Sequence, residues 1–241
     1  MEFNIEDYLN SLPLDTTNID VSGKGLTYLP DLSRFKQLSK LYCSDNQLTG
    51  LPPLNNNLKC LVCDYNQLTE LPPLNNNLTH LFCACNYLTS LPPLNNNLQE
   101  LNCYHNQLSW LPPLNNNLKY LICNYNQLTE LPHLNDNLRY LDCNYNPLTW
   151  LPPLNNKLQN LYCRNTNIFN ENIYKCNNIK KILRNFRYTY YLLKFKKHFK
   201  RWLWEKVREP KIMAKFHPSH LNALEDTDDL EVFLDDWIKN D

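Results

Sequence analysis

No run in the 241 residues approaches eighteen consecutive apolar side chains, so no membrane-spanning helix is expected. The first residues, MEFNIEDYLNSLPLD, contain no basic segment followed by an apolar one, so no secretory signal is expected either. Ten cysteines without such a signal predict a reducing, cytoplasmic compartment in which they stay thiols, and Asn77-Leu78-Thr79, a glycosylation sequon, stays unmodified. Glycine is scarce, three residues against sixteen prolines, an imbalance that the repeat described below accounts for. An apolar content of 43% is enough to bury a core and excludes a disordered or fibrous chain. Neither sign of charge dominates, yet the zero net charge is unevenly spread. Residues 1–167 carry 9 Lys and Arg against 13 Asp and Glu, a balance of −4; residues 168–217 carry 14 against 3, or +11; residues 218–241 carry 1 against 8, or −7.

What the chain does have is a period. LPPLNNN begins at residues 51, 71, 91 and 111, then returns as LPHLNDN at 131 and LPPLNNK at 151. Aligned on Leu58, Leu78, Leu98, Leu118, Leu138 and Leu158, each twenty-residue unit reads L-x-x-L-x-C-x-x-N-x-L-x-x-L-P-x-L-N-N-N, with Thr166 in place of Asn in the last. Self-similarity at that length is the pattern of a leucine-rich repeat solenoid, in which each unit adds one short parallel strand. Two consecutive prolines fix an extended or polyproline convex side, because proline restricts both itself and the residue before it. A unit this short has no room for a convex helix, so gentle curvature is expected.

Eight rungs are predicted between Ile19 and Ile168, the first degenerate and the second longer by two residues through LPDLSRFKQL. The expected organisation is an N-terminal cap over residues 1–18, where IEDYLNSL has helical spacing, a solenoid over 19–168, and a C-terminal helical module over 169–241.

The pair Cys60 and Cys63 has the C-x-x-C spacing of zinc knuckles and thiol-disulfide enzymes. The period changes that reading. Cys43, Cys63, Cys83, Cys103, Cys123, Cys143 and Cys163 occupy one position per unit, where a leucine would face inward, while Cys60 lies on the opposite side of the strand. Thiols in a line, about 4.8 Å apart from rung to rung, suit neither tetrahedral zinc nor a disulfide. They are predicted to be small buried apolar groups, and neither a metal nor a cofactor is expected. Asn46, Asn66, Asn86, Asn106, Asn126 and Asn146 form the companion ladder, expected to satisfy backbone groups in the turn after each strand.

The outward strand positions form the predicted concave face, where Tyr42, Tyr65, Phe82, Tyr104, Tyr120, Tyr125, Tyr140, Tyr145 and Tyr162 fall on or beside the strands. His80, His105, Glu100, Asp142 and Arg164 lie among them. Tyrosine provides large, rigid, amphipathic area, so the face is predicted to bind a protein partner. Cys60, His80 and Glu100 lie on neighbouring rungs and hold the residue types of a nucleophilic site, but a flat face desolvates such groups poorly and no enzyme is expected.

After Ile168 the repeat stops. Residues 179–209 contain neither proline nor glycine and have helical apolar spacing, with Lys180, Arg184, Arg187, Lys194, Lys197 and Arg201 along another side. Leu230, Phe233, Leu234 and Trp237 then mark an apolar stripe on a short acidic helix. The favoured expectation is that the acidic helix folds on the basic one and caps the solenoid. Nucleic-acid or anionic-membrane contact by the basic helix is the less favoured alternative.

The unit LPPLNNNLKYLICNYNQLTE resembles the short leucine-rich repeats of secreted bacterial effectors with ubiquitin-ligase activity, over residues 38–168. That family's catalytic domain has no counterpart here: Cys176, in IYKCNNIKK, is the sole candidate nucleophile and lacks the acidic context, so ligase activity is not implied. The Asn- and Tyr-rich units with an inward cysteine also resemble leucine-rich repeat proteins of giant DNA viruses of amoebae. The segment WEKVREPKIMAKFHPSHLNALEDTDDLEVFLDDW is similar to a C-terminal module of proteins from those viruses. These resemblances imply a solenoid of viral origin in a host cell. The reading is a monomeric, non-enzymatic interaction protein; the alternative is an adaptor that brings targets to a ubiquitin ligase, or to a virion or host factor, through its tail.

Overall fold

The computed structural model describes residues 3–167. The basic and acidic tail segments, Cys176 and the whole of the expected module 169–241 lie outside the described residues. Eight three-residue strands follow in chain order: β1 Asn18–Asp20, β2 Lys40–Tyr42, β3 Cys60–Val62, β4 His80–Phe82, β5 Glu100–Asn102, β6 Tyr120–Ile122, β7 Tyr140–Asp142 and β8 Asn160–Tyr162. They pair in parallel as one sheet in the order β1 to β8, with Leu41, Leu61, Leu81, Leu101, Leu121, Leu141 and Leu161 in register. The two extra residues of the second unit are absorbed between β1 and β2, where Ile19 still pairs with Leu41.

Each strand is short because only its central leucine and the following cysteine need to face the core. Leu61 and Cys63 are buried while Cys60 and Val62 are half-exposed, as alternation requires. Leu58, Leu68 and Leu71 close the rung around them. The Pro-Pro segments run as irregular backbone with no helix, the outcome expected from proline.

At the N-terminal end a seven-residue helix, α1 Ile5–Ser11, places Ile5 and Leu9 in the same core cluster as Ile19 and Val21. Asn4 caps it, its Oδ1 accepting from the backbone N–H of Glu6 at 3.0 Å and of Asp7 at 3.2 Å. The Arg34 guanidinium ties the helix to the solenoid by donating to Asn10 Oδ1 at 2.8 Å.

The cysteine ladder is a column of buried thiols. Cys63 Sγ lies 3.3 Å from Phe82 O and Cys143 Sγ 3.3 Å from Tyr162 O, so these thiols donate weakly to a carbonyl of the next rung. Burial pushes Cys43 and Cys103 up to about 12 and Cys163 up to about 11, which keeps them protonated and inert.

The asparagine ladder holds adjacent rungs together. Asn106 Oδ1 accepts from Leu88 N at 3.0 Å, while its Nδ2 donates to Cys83 O at 3.0 Å and to Cys103 O at 3.1 Å. Asn66, Asn86, Asn126 and Asn146 repeat this pattern. Thr166 keeps the bond to its own rung, its hydroxyl donating to Cys163 O at 2.9 Å.

Two further ladders run through the NNN triplets, for which the period alone predicted no role. The first asparagine, as in Asn115, donates to Asn95 O of the rung before at 2.7 Å and accepts from Asn117 N at 2.7 Å. The third, as in Asn117, donates to Asn96 O at 2.7 Å. Asn77, the sequon residue, belongs to this second set and donates to Asn56 O at 2.8 Å. The middle asparagine supplies the carbonyl that the third one reaches.

A further regularity is conformational. Gly23 in the first rung has φ +64, and its equivalents Asp45, Tyr65, Cys85, His105, Tyr125, Tyr145 and Asn165 all have φ between +52 and +55. A side chain in the left-handed region costs about 1 kcal/mol or more. That cost is offset where the turn aligns its N–H groups with the next rung, as in Tyr65 N to Ala84 O at 2.9 Å and Asn66 N to Cys85 O at 3.2 Å.

The residue before each of these turns can bridge rungs with a short polar side chain. Asp64 Oδ1 accepts from Ala84 N at 2.6 Å, and Asn144 Oδ1 accepts from Arg164 N in the same way. Burial raises Asp64 to about 6 against the opposing hydrogen bond from Ala84, with the nearby Asp45 adding to the rise.

Cys103→Ala is expected to destabilise the full chain by about 1 kcal/mol, the loss of a small buried group. Asn106→Leu is expected to cost about 3 kcal/mol, because one buried N–H and two carbonyls lose their partner together. Urea unfolding of both variants checks the order, and equal midpoints would remove the ladder argument.

Asp64→Asn preserves the bond to Ala84, as Asn144 shows for Arg164. A carboxyl whose folded pKa is raised binds its proton more tightly in the native state. Its penalty is therefore absent below the unfolded value of 3.8 and complete above about 6. With Asp64 partly solvated, the variant should be more stable by about 1 kcal/mol at pH 7.5 and unchanged near pH 3.5. Thermal melts at the two pH values read the difference.

Candidate functional site

The open face of the sheet carries the outward residues of β2 to β8 in two columns set by register. One runs Lys40, Cys60, His80, Glu100, Tyr120, Tyr140, Asn160; the other runs Tyr42, Val62, Phe82, Asn102, Ile122, Asp142, Tyr162. Tyr42, Phe82, Tyr120, Tyr140 and Tyr162 therefore stand on the strands. Tyr104 lies two residues beyond β5. Tyr65, Tyr125 and Tyr145 occupy the left-handed turn column, so the tyrosines that the sequence treats as one surface belong to two backbone environments.

The rings divide accordingly. On the strands, Tyr120 and Tyr140 have centroids 6.4 Å apart and Tyr140 and Tyr162 5.5 Å apart, tilted by 37° and 43°. Along the turns, Tyr125 and Tyr145 stack at 4.1 Å and 15°, with His105 and Tyr104 at 6.1 and 6.4 Å from Tyr125. Tyr120, Tyr125, Tyr145 and Tyr162 remain 40 to 45% exposed despite these contacts. Both groups are densest from β5 to β8. Nearer the N-terminal end, His80 packs parallel to Phe82 at 6.4 Å.

Three of the hydroxyls, those of Tyr104, Tyr125 and Tyr140, are held as phenols. Hydrogen bonding to Cys85, and then to Tyr65, raises Tyr104. A bond to Tyr145 raises Tyr125, and burial raises Tyr140 with a further contribution from Asp142. Burial also raises Asp142, opposed by the backbone N–H of Asn144 at 3.1 Å.

Cys60, His80 and Glu100 do come together, in register on β3, β4 and β5. Their electrostatics run against nucleophilic chemistry. Burial raises Cys60, Glu100 adds to the rise, and Lys40 opposes it only in part, so the thiolate is disfavoured. His80 Nδ1 is engaged with its neighbour Thr79 Oγ1 at 2.8 Å. Among the described residues no group of three or more His, Cys, Asp or Glu side chains is placed to hold a metal ion. On the opposite edge, a depression of about 360 Å³ is lined by Pro113, Leu114, Pro132, His133, Asn135 and Asp136, where the unit LPHLNDN departs from Pro-Pro. Among the described residues no helix is long and apolar enough to cross a membrane.

Three comparisons bear on this architecture. Residues 97–115 and 137–156 match the family described as Leucine Rich Repeat. No curated protein matches the chain. Among solved structures, YopM from Yersinia enterocolitica WA-314 superimposes with a TM-score of 0.63 and 38% identity, over 65% of this chain and 34% of that one. YopM of Yersinia pestis, a leucine-rich effector protein, gives 0.55 and 29% over 67% of this chain and 52% of that one. A Shigella effector LRR domain gives 0.55 and 33% over 61% of this chain and 66% of that one. The chain thus spans between a third and two thirds of the length of these relatives. The inward leucines, the rung-to-rung asparagines and the superposition together make this a leucine-rich repeat protein, its solenoid related to those of bacterial effectors of the YopM kind.

Proposed function

We propose that the chain is a non-catalytic scaffold that binds a protein partner through its concave, tyrosine-bearing sheet face. The observation that carries this reading is the continuous run of part-exposed rings across β6 to β8, Tyr120, Tyr140 and Tyr162, flanked by the Tyr125 and Tyr145 stack. Aromatic area of this kind is costly to leave in water and is enriched where proteins meet. The competing account is that tyrosine merely suits a half-exposed strand. That alternative does not explain Tyr125 and Tyr145, which sit in a left-handed turn where no strand propensity operates. Leucine-rich repeat solenoids commonly serve as interaction scaffolds, which agrees with the face and with the neutral thiols. An adaptor or tether role for residues 169–241, cytoplasmic residence, a monomeric state and an origin in a giant virus of amoebae extend the proposal and rest on the sequence.

Replacing Tyr120 and Tyr140 together by alanine should leave the melting temperature within a few degrees, because neither ring is part of the buried core. Recovery of partner in affinity purification from host cells should fall by about tenfold or more, since interface energy concentrates on central aromatic side chains. Recovery of the same proteins at wild-type levels would move the binding surface elsewhere.

A further inference from the structure

Asp142 is the one outward carboxylate among the tyrosines of the last three strands, and the fold does not require its charge. Its local role is to accept the backbone N–H of Asn144 at 3.1 Å. Asn102, the equivalent residue two rungs earlier, performs that role for Tyr104 N at 3.2 Å without a charge. A neutral side chain would therefore serve the turn equally well, and the half-buried carboxylate carries a desolvation penalty that its position does not explain. Burial and the Asn144 N–H are what act on the carboxyl, with no contribution from a lysine or arginine of the described residues.

What surrounds Asp142 is suited to an incoming cation. Tyr162 is its register partner on β8, and Tyr140 precedes it by two residues on the same face of β7. The two rings are 5.5 Å apart and inclined at 43°, and Asp142 is close enough to Tyr140 to contribute to the rise of its phenol. A lysine or arginine head group favours a ring face within about 6 Å of its centroid, and a carboxylate at the same place adds a charge-assisted hydrogen bond.

We propose that Asp142, with the rings of Tyr140 and Tyr162, forms a receptor for a single lysine or arginine side chain of the protein partner. This deepens the reading of the open face as a protein-binding surface and rests on it. The neighbouring rings of Tyr120, Tyr125 and Tyr145 would then take the apolar side chains that flank the cation. The partner's distinguishing chemistry is one basic residue within an otherwise apolar contact segment.

The test uses the intact chain and a library of random displayed peptides, selected in parallel on the wild type, on Asp142→Asn and on Tyr120→Ala with Tyr140→Ala. Asp142→Asn preserves the Asn144 bond, as Asn102 shows, so it should melt at or above the wild-type temperature. Comparison with this variant also removes peptides held by the acidic segment 218–241. The wild type should enrich peptides with a lysine or arginine next to apolar residues. Their affinity should fall about tenfold on Asp142→Asn, as loss of one charge-assisted contact predicts. Replacing the peptide's basic residue by methionine should cost a similar factor on the wild type and little on the variant. Peptides that lack a cation, or bind Asp142→Asn within twofold of the wild type, overturn the receptor. If such peptides are still lost on the double tyrosine variant, the binding face stands and only the cation site fails. Peptides indifferent to both variants, or no enrichment on the wild type, count against both.

Discussion

A twenty-residue rung is too thin to satisfy its own backbone. With three residues in its strand and no helix on its far side, nearly every inward-facing N–H and carbonyl must find a partner in the rung before or after it. The structure meets this requirement with four columns that repeat at the period of the chain. They are the strand ladder, the turn asparagines from Asn46 to Asn146, and the first and third asparagines of each NNN triplet. Each column spans adjacent rungs, so stability is close to a sum of nearest-neighbour terms. The first rung has no predecessor, and there α1 places Ile5 and Leu9 over the exposed core edge.

The same constraint accounts for the backbone cost that recurs in every rung. Aligning two successive N–H groups with the next rung requires a left-handed residue after each strand. Glycine provides it at Gly23, yet the next seven rungs place Asp, Tyr, Cys, His or Asn there. Those side chains are forced out at the rim of the sheet, which is how Tyr125 and Tyr145 come to stack at 4.1 Å beside the strand tyrosines. A conformation imposed by backbone pairing thus widens the aromatic surface beyond the strands.

Because the inward positions are committed to packing and the asparagines to pairing, functional variation is left to the outward columns. There the cysteines separate by environment. The ladder thiols are buried against carbonyls and stay protonated, and Cys60, although outward, is raised rather than lowered by its surroundings. Asp142 differs from them in kind: it is an outward group whose charge the local turn does not use, with Tyr162 as its register partner and Tyr140 two residues before it.

The sequence by itself determined the period, the parallel solenoid, the inward place of each leucine and cysteine, and the absence of a convex helix. These follow from which positions repeat, and repetition is visible without coordinates. It could not determine what the NNN triplets do, because whether Asn115 reaches Asn95 O or solvent depends on the offset between rungs twenty residues apart. Nor could it separate Tyr140 from Tyr145, since the two differ in backbone torsion and not in residue type or spacing. Only the tertiary structure decided that Tyr145 belongs to a left-handed turn, that the Tyr140 and Tyr162 rings meet at 5.5 Å and 43°, and that Asp142 is half-buried with no lysine or arginine of the described residues acting on it. Each of these depends on contacts between rungs, which no single unit of the repeat contains.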